Sequence, residues 1–200
     1  MWWLTMALLA VLQAAAYPAP FPRPGVTQLI DNERVLVWDV TWPKGETTPV
    51  HRHPYDMTGV YYWPAGRLSI STDGMKRQTS TPAGRIQWLL AGVTHAEEGT
   101  SDDSLRAVMI ELKGAAAAGT IGIGPEPMFT AGTPLLDNPR VLVSDYGSAP
   151  STPARHAHRM ATVVVVTEQR AARAVFVPAG TLHDDESAHA GKKLTIFELK

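Results

Sequence analysis

Residues Leu29–Asp39 read LIDNERVLVWD, and residues Leu135–Asp145 read LLDNPRVLVSD, a near copy 106 positions later. Three more blocks return in the same order. His51-Arg52-His53 is answered by His156-Ala157-His158, and Ala91-Gly92-Val93-Thr94-His95 by Ala179-Gly180-Thr181-Leu182-His183. The run ending Ile110-Glu111-Leu112-Lys113 is answered by Phe197-Glu198-Leu199-Lys200. Four blocks in one order, the first two offset by 106 and 105 positions and the last two by 88 and 87, are the signature of a duplicated unit.

Within each copy the period is two. Arg34 to Trp42 mixes β-branched and aromatic residues and is closed by Pro43-Lys44-Gly45; Tyr61–Trp63, Arg67–Ser71, Ile86–Leu90 and Leu105–Leu112 are further strand candidates, parted by turn signals such as Asp73-Gly74. The second copy offers Val141–Ser144, Val163–Val166, Val175–Val177 and Leu194–Leu199. No amphipathic helix is evident after the first segment, and 16 Gly with 16 Pro suit many short strands. The sequence predicts an all-β chain, a sandwich or barrel of jelly-roll type.

Around the repeats, Trp2 to Leu12 is an apolar run too short to span a bilayer, followed by Ala14-Ala15-Ala16 and Tyr17-Pro18. Residues 1–16 therefore read as a signal peptide, although no Lys or Arg precedes the run. The expected product is periplasmic or secreted, with no membrane insertion of the mature chain. Residues 17–26 are Pro-rich and expected to be an extended tether outside the core. Repeat 1 is placed at 27–113, an Ala/Gly-rich linker at 114–132, and repeat 2 at 133–200. With 18 basic against 19 acidic residues the chain has no electrostatic footprint for nucleic acid, and without cysteine it has neither disulfide nor thiolate chemistry.

Six of the seven histidines fall in the repeated blocks; His189 alone lies outside and reads as a solvated loop residue. Histidines at i and i+2 of a strand share a face, so His51 and His53 can reach one point, and a neighbouring strand can bring His95 there. Three imidazoles suit Fe, Zn, Ni or Cu and leave coordination positions open. His156, His158 and His183 form a second candidate group. The same histidines also fit a blander role, as hydrogen-bonded interior residues of a barrel.

These motifs resemble the cupin superfamily. Gly45, five residues and His51-Arg52-His53 match the first half of its first motif, with Gly66 available as the closing glycine. Gly84, five residues and Leu90-Ala91-Gly92-Val93-Thr94-His95 match the second, apart from Leu90 in the proline place; Pro178-Ala179-Gly180-Thr181-Leu182-His183 matches that ending fully. The resemblance implies two cupin-type jelly-roll β-barrel repeats holding a divalent metal, the second shortened: 22 positions separate His158 from Gly180, against 39 between His53 and Gly92. A hairpin is lacking there, so repeat 2 is expected to leave an open edge and to pack on repeat 1; oligomeric state is left open.

The departures bear on function. The family's Glu ligand would fall at Met57 or Thr58, which cannot replace it, and Asp56 is the nearest acid, expected to pair with Arg52 or cap a turn before it would ligate. The second copy has no acid between His158 and Glu168, which ranks its histidines below the first group as a metal site. Glu97 and Glu98, close after His95, are expected at the surface, with a role behind the histidines or in acid–base chemistry as the alternative; Trp38, Trp42, Trp63 and Trp88 are expected in packing. Three classes stay open: an oxygenase, decarboxylase or isomerase using Fe, Zn, Ni, Cu or Mn on a small organic molecule; a non-catalytic small-molecule-binding or sensing module, with the second site degenerate; and a structural relic whose metal site no longer works.

Overall fold

The computed structural model describes residues 17–114, 124–148, 155–184 and 192–200. The signal segment, residues 115–123 of the linker and His189 lie outside them.

Among the described residues the regular structure is strand, with one short 3-10 turn and no α-helix. The first unit holds β1 (Val26–Asp31), β2 (Val35–Trp42), β3 (His51–Arg52), β4 (Asp56–Trp63), β5 (Ala65–Ser71), β6 (Lys76–Thr81), β7 (Ile86–Leu89), β8 (Thr94–Gly99) and β9 (Leu105–Leu112). They form two facing sheets ordered β1-β2-β9-β4-β7 and β3-β8-β5-β6. The second unit holds β10 (Pro134–Asp137), β11 (Val141–Asp145), a 3-10 turn at Tyr146–Ser148, β12 (Arg155–His156), β13 (Thr162–Glu168), β14 (Ala171–Val177), β15 (His183–Asp184) and β16 (Lys193–Leu199). Its sheets run β10-β11-β16-β13-β14 and β12-β15. The two five-stranded sheets match strand for strand. Only β5 and β6 have no counterpart: after β13 the chain turns at once through Gln169 and Arg170, pairing Glu168 with Ala171. The jelly-roll expectation holds with one correction, since neither unit closes into a barrel; each is two separate facing sheets.

The alternation of side chains explains why the strands of the large sheets read as near-continuous apolar runs. On β2, Trp38, Val40 and Trp42 point into the first unit, joining Met57, Tyr61 and Met109. Val35 and Val37 point the other way, into a cluster that also takes Val60, Val108 and Ile110 from the first unit and Val141, Val143, Val163, Val165 and Phe197 from the second. Both faces of the sheet are thus buried. The units meet through these faces, not through the open edge that the missing hairpin suggested. A face offers contiguous apolar area, worth about 25 cal/mol per Å² buried, whereas an edge offers only backbone groups. At the periphery the Arg170 guanidinium lies 4.5 Å over Trp63 and pairs with Asp103 at 2.6 Å.

The Pro-rich stretch is not held clear of the core. Arg52 donates its backbone N–H to the Pro18 carbonyl at 2.9 Å, and Phe21 packs on Trp38 with ring centroids 5.3 Å apart. Proline fixes the backbone there and Phe21 supplies the apolar anchor.

Candidate metal centre

The first group of histidines is built by one strand pair and one turn. β3 and β8 pair antiparallel with His51 directly opposite His95. Beyond β3, the His53 carbonyl accepts a hydrogen bond from Gly92 N–H at 2.8 Å, and His53 N–H donates to the Val93 carbonyl at 3.0 Å. Gly92 stands at φ +86°, where a side chain is strained. That turn is therefore what ties the His-x-His segment to the strand carrying the third histidine. Gly180, at φ +72°, ties His158 in the same way at 2.8 Å, and β12 sets His156 opposite His183.

One ring nitrogen from each of His51, His53 and His95 falls within 4.8 Å of the others, and the same is true of His156, His158 and His183. In the first group His53 Nε2 faces His95 Nε2 at 3.2 Å. His51 Nδ1 lies 2.9 Å from the Pro49 carbonyl, which makes it the protonated nitrogen and leaves a lone pair on Nε2. That Nε2 is buried and has no hydrogen-bond partner. A buried polar atom without a partner costs about 1–3 kcal/mol, and three converging nitrogens are a donor set that a divalent ion takes. The residues fit such an ion.

Electrostatics favours the neutral, ligating form of the rings. Burial, followed by the neighbouring His95 and His51, lowers the His53 pKa to about 4. Burial lowers His95 as well, against the pull of Glu97. Glu97, expected at the surface, is instead buried at the centre of the unit. It pairs with Arg67, accepts the Trp42 indole N–H at 2.8 Å, and stands 3.9 Å from His95 Nε2. Burial alone would raise its pKa; Arg67, His95 and the Trp42 hydrogen bond outweigh that and hold it at about 2. Sequence reasoning ranked the surface first for Glu97, although the signal for its alternative was there: on a strand, His95 and Glu97 are i and i+2 and share a face. Glu98 points the other way and accepts a hydrogen bond from Thr47.

Asp56 is not brought to the group. Its Oδ1 accepts the Ala91 N–H at 2.9 Å and its Oδ2 meets Arg140 of the second unit at 3.0 Å, so its partner is Arg140, not Arg52. Met57, at the family's Glu position, lines a cavity between the sheets together with Phe21, Trp42, Tyr61, Arg67 and the triad's His53 and His95. Among the four tryptophans of the described residues, Trp38 and Trp42 are core residues, and Trp63 and Trp88 pack against the shared cluster.

In the second group His156 Nε2 faces His158 Nε2 at 3.3 Å. Both rings are fully buried, with Phe129 packed on them at centroid distances of 5.4 Å and 4.7 Å. Glu198 stands behind His158, its Oε1 3.6 Å from Nδ1.

No family model matches the chain, and no curated protein does. Among solved structures, a cupin-domain protein from Bordetella pertussis Tohama I is 32% identical, aligned over 47% of this chain and 99% of its own, with a TM-score of 0.42. A cupin 2 conserved barrel domain protein from Leptotrichia buccalis is 11% identical and matches 88% of each chain with a TM-score of 0.50.

Proposed function

This chain belongs to the cupin superfamily, and from that premise we propose that His51, His53 and His95 hold a divalent metal ion and present it to a small organic molecule, one group of which enters the adjoining cavity. The observation that carries this reading is the buried, partnerless Nε2 of His51, aimed among two other imidazoles by the Pro49 carbonyl behind it. Imidazole suits Fe, Zn, Ni and Cu, with Mn a poorer match for a set lacking carboxylate. When bound, such an ion supplies Lewis acidity toward a carbonyl or carboxylate, or a site for dioxygen.

The chain's own groups do the rest. Phe21, Trp42, Met57 and Met109 give the cavity apolar walls, and its volume of about 20 Å³ takes one small group of a guest, not a whole organic molecule. Tyr61 is raised to about 12 by burial, so its hydroxyl keeps its proton, and it has no hydrogen-bond partner; it is a donor ready for a guest oxygen. Arg67 Nε is likewise buried without a partner. Glu97 stays ionised and balances the charge of Arg67.

The wider reading takes the two units as tandem copies of one domain, supported by the matching strand orders of the large sheets, and takes residues 1–16 as a segment that directs export. A non-catalytic binding or sensing role is the second reading. It is favoured by Glu97 being locked between Arg67 and Trp42, which leaves that carboxylate no proton to give. Elemental analysis of the purified chain tests the metal reading. One equivalent lost on His95→Ala supports it, and a chain metal-free after incubation with Fe, Zn, Ni, Cu and Mn rejects it.

A further inference from the structure

The two histidine groups differ in what stands behind them, and the difference traces to one position. On β9 Glu111 is buried, and Trp38 on the neighbouring β2 donates its indole N–H to Glu111 Oε2 at 2.8 Å. On β16 Glu198 holds the corresponding place, opposite Leu142 as Glu111 is opposite Leu36. Ser144 stands where Trp38 stands in the first unit. Serine is too short to occupy the carboxylate; its Oγ is buried with no hydrogen-bond partner. Glu198 instead meets His158, Oε1 to Nδ1 at 3.6 Å, with side chains 7% and 0% exposed. His158 Nδ1 and the matching nitrogen of the first unit, His53 Nδ1, are both buried without a hydrogen-bond partner; the difference is that His158 Nδ1 has a carboxylate at ion-pair distance.

We propose that Glu198 is a positioning residue for His158: it holds the proton on Nδ1, leaves the Nε2 lone pair facing His156 and His183, and so makes the second group the tighter metal site of the two. The inference rests on the metal-binding reading of the three-histidine groups. It reverses the order that the sequence suggests, in which the second copy lacks an acid. The acid comes from the last strand, through a tryptophan-to-serine difference on the strand paired with it. A carboxylate behind a ligating imidazole fixes its tautomer and raises its basicity. A buried carboxylate also needs a positive partner. Among the described residues the first unit gives Glu97 the cation of Arg67 on β5, while the second unit has no counterpart of β5 and Glu198 has only His158. An ion at the triad supplies the missing charge.

The test uses the full chain and Co(II), read by its visible absorption. His95→Ala leaves the second group intact, and His183→Ala leaves the first. In the His95→Ala chain, Glu198→Gln should weaken Co(II) binding by about 10–100-fold; in the His183→Ala chain it should change nothing, and Glu111→Gln should change neither. Without the Glu198 change, the His95→Ala chain should bind more tightly than the His183→Ala chain. In the Zn(II)-loaded protein, Glu198→Gln should shift the Nδ1–H resonance of His158 while leaving the backbone spectrum in place, which separates positioning from loss of fold. Unchanged affinity in the His95→Ala chain, or equal weakening in both chains, overturns the proposal, as does a His95→Ala chain that takes up no Co(II). A His183→Ala chain that takes up none counts against the function proposed for the first group alone, and leaves Glu198 supported.

Discussion

Asp56 on β4 and Arg140 at the start of β11 meet at 3.0 Å, joining the two units at the rim of their shared core. Arg140 also donates to the Leu112 and Gly114 carbonyls, at 3.2 Å and 2.9 Å, so it ties down the end of β9. Both side chains are under one fifth exposed, and removing one leaves the other partly buried without its partner. Asp56→Asn should therefore cost about 1–3 kcal/mol of stability and leave metal content unchanged. Urea unfolding with elemental analysis of the same samples checks this; loss of metal without loss of stability would restore Asp56 as a ligand.

Phe197 is fully buried in the cluster fed by both units. Its truncation to Ala should cost about 3–5 kcal/mol and destabilise both units together, in one transition. Residues 127–200 alone would expose Val163, Val165 and Phe197 on one sheet face, and should aggregate or stay unfolded. Two separated thermal transitions, or a well-folded monomeric fragment, would mean that the shared cluster does not couple the units.

How far the sequence carried depended on which interaction set each feature. Strands of the large sheets were legible because burial on both faces writes itself as apolar runs such as Val35–Val37 and Val163–Val166. β6 was not: Lys76 to Thr81 is an edge strand of mostly exposed polar residues, held by pairing with β5, and edge pairing leaves no hydrophobic trace. The histidines could be grouped because register and a turn glycine are local. The face that Glu97 shares with His95 was legible from their spacing, but its burial was not, and Glu198 was out of reach altogether, because these roles depend on partners distant in sequence, Arg67 and Trp42 for one and His158 for the other. Asp56 misled for the same reason, its cation lying 84 residues away.

Acid should unfold the metal-free protein in two overlapping stages. His53 titrates at about 4 when folded, against 6.5 when free, so between those values the unfolded chain binds a proton that the folded one refuses, and stability falls as pH drops through that window. Glu97 is depressed to about 2 from 4.5, so its contribution, present above 4.5, is lost as pH falls from there toward 2. Urea midpoints at pH 7.5, 5.5 and 4 should decline in order; a flat profile from pH 7.5 to 5 would show that His53 is not held neutral by the fold.

The central claim is that His51, His53 and His95 form a metal site. Its most direct measurement is the metal content of the full chain after loading with a divalent ion and exhaustive desalting, for the parent, His95→Ala, and the double variant His95→Ala with His183→Ala. With both three-histidine groups loaded, the expected series is two equivalents, one and none. A parent chain that retains no ion, or a His95→Ala chain that retains as much as the parent, would contradict it.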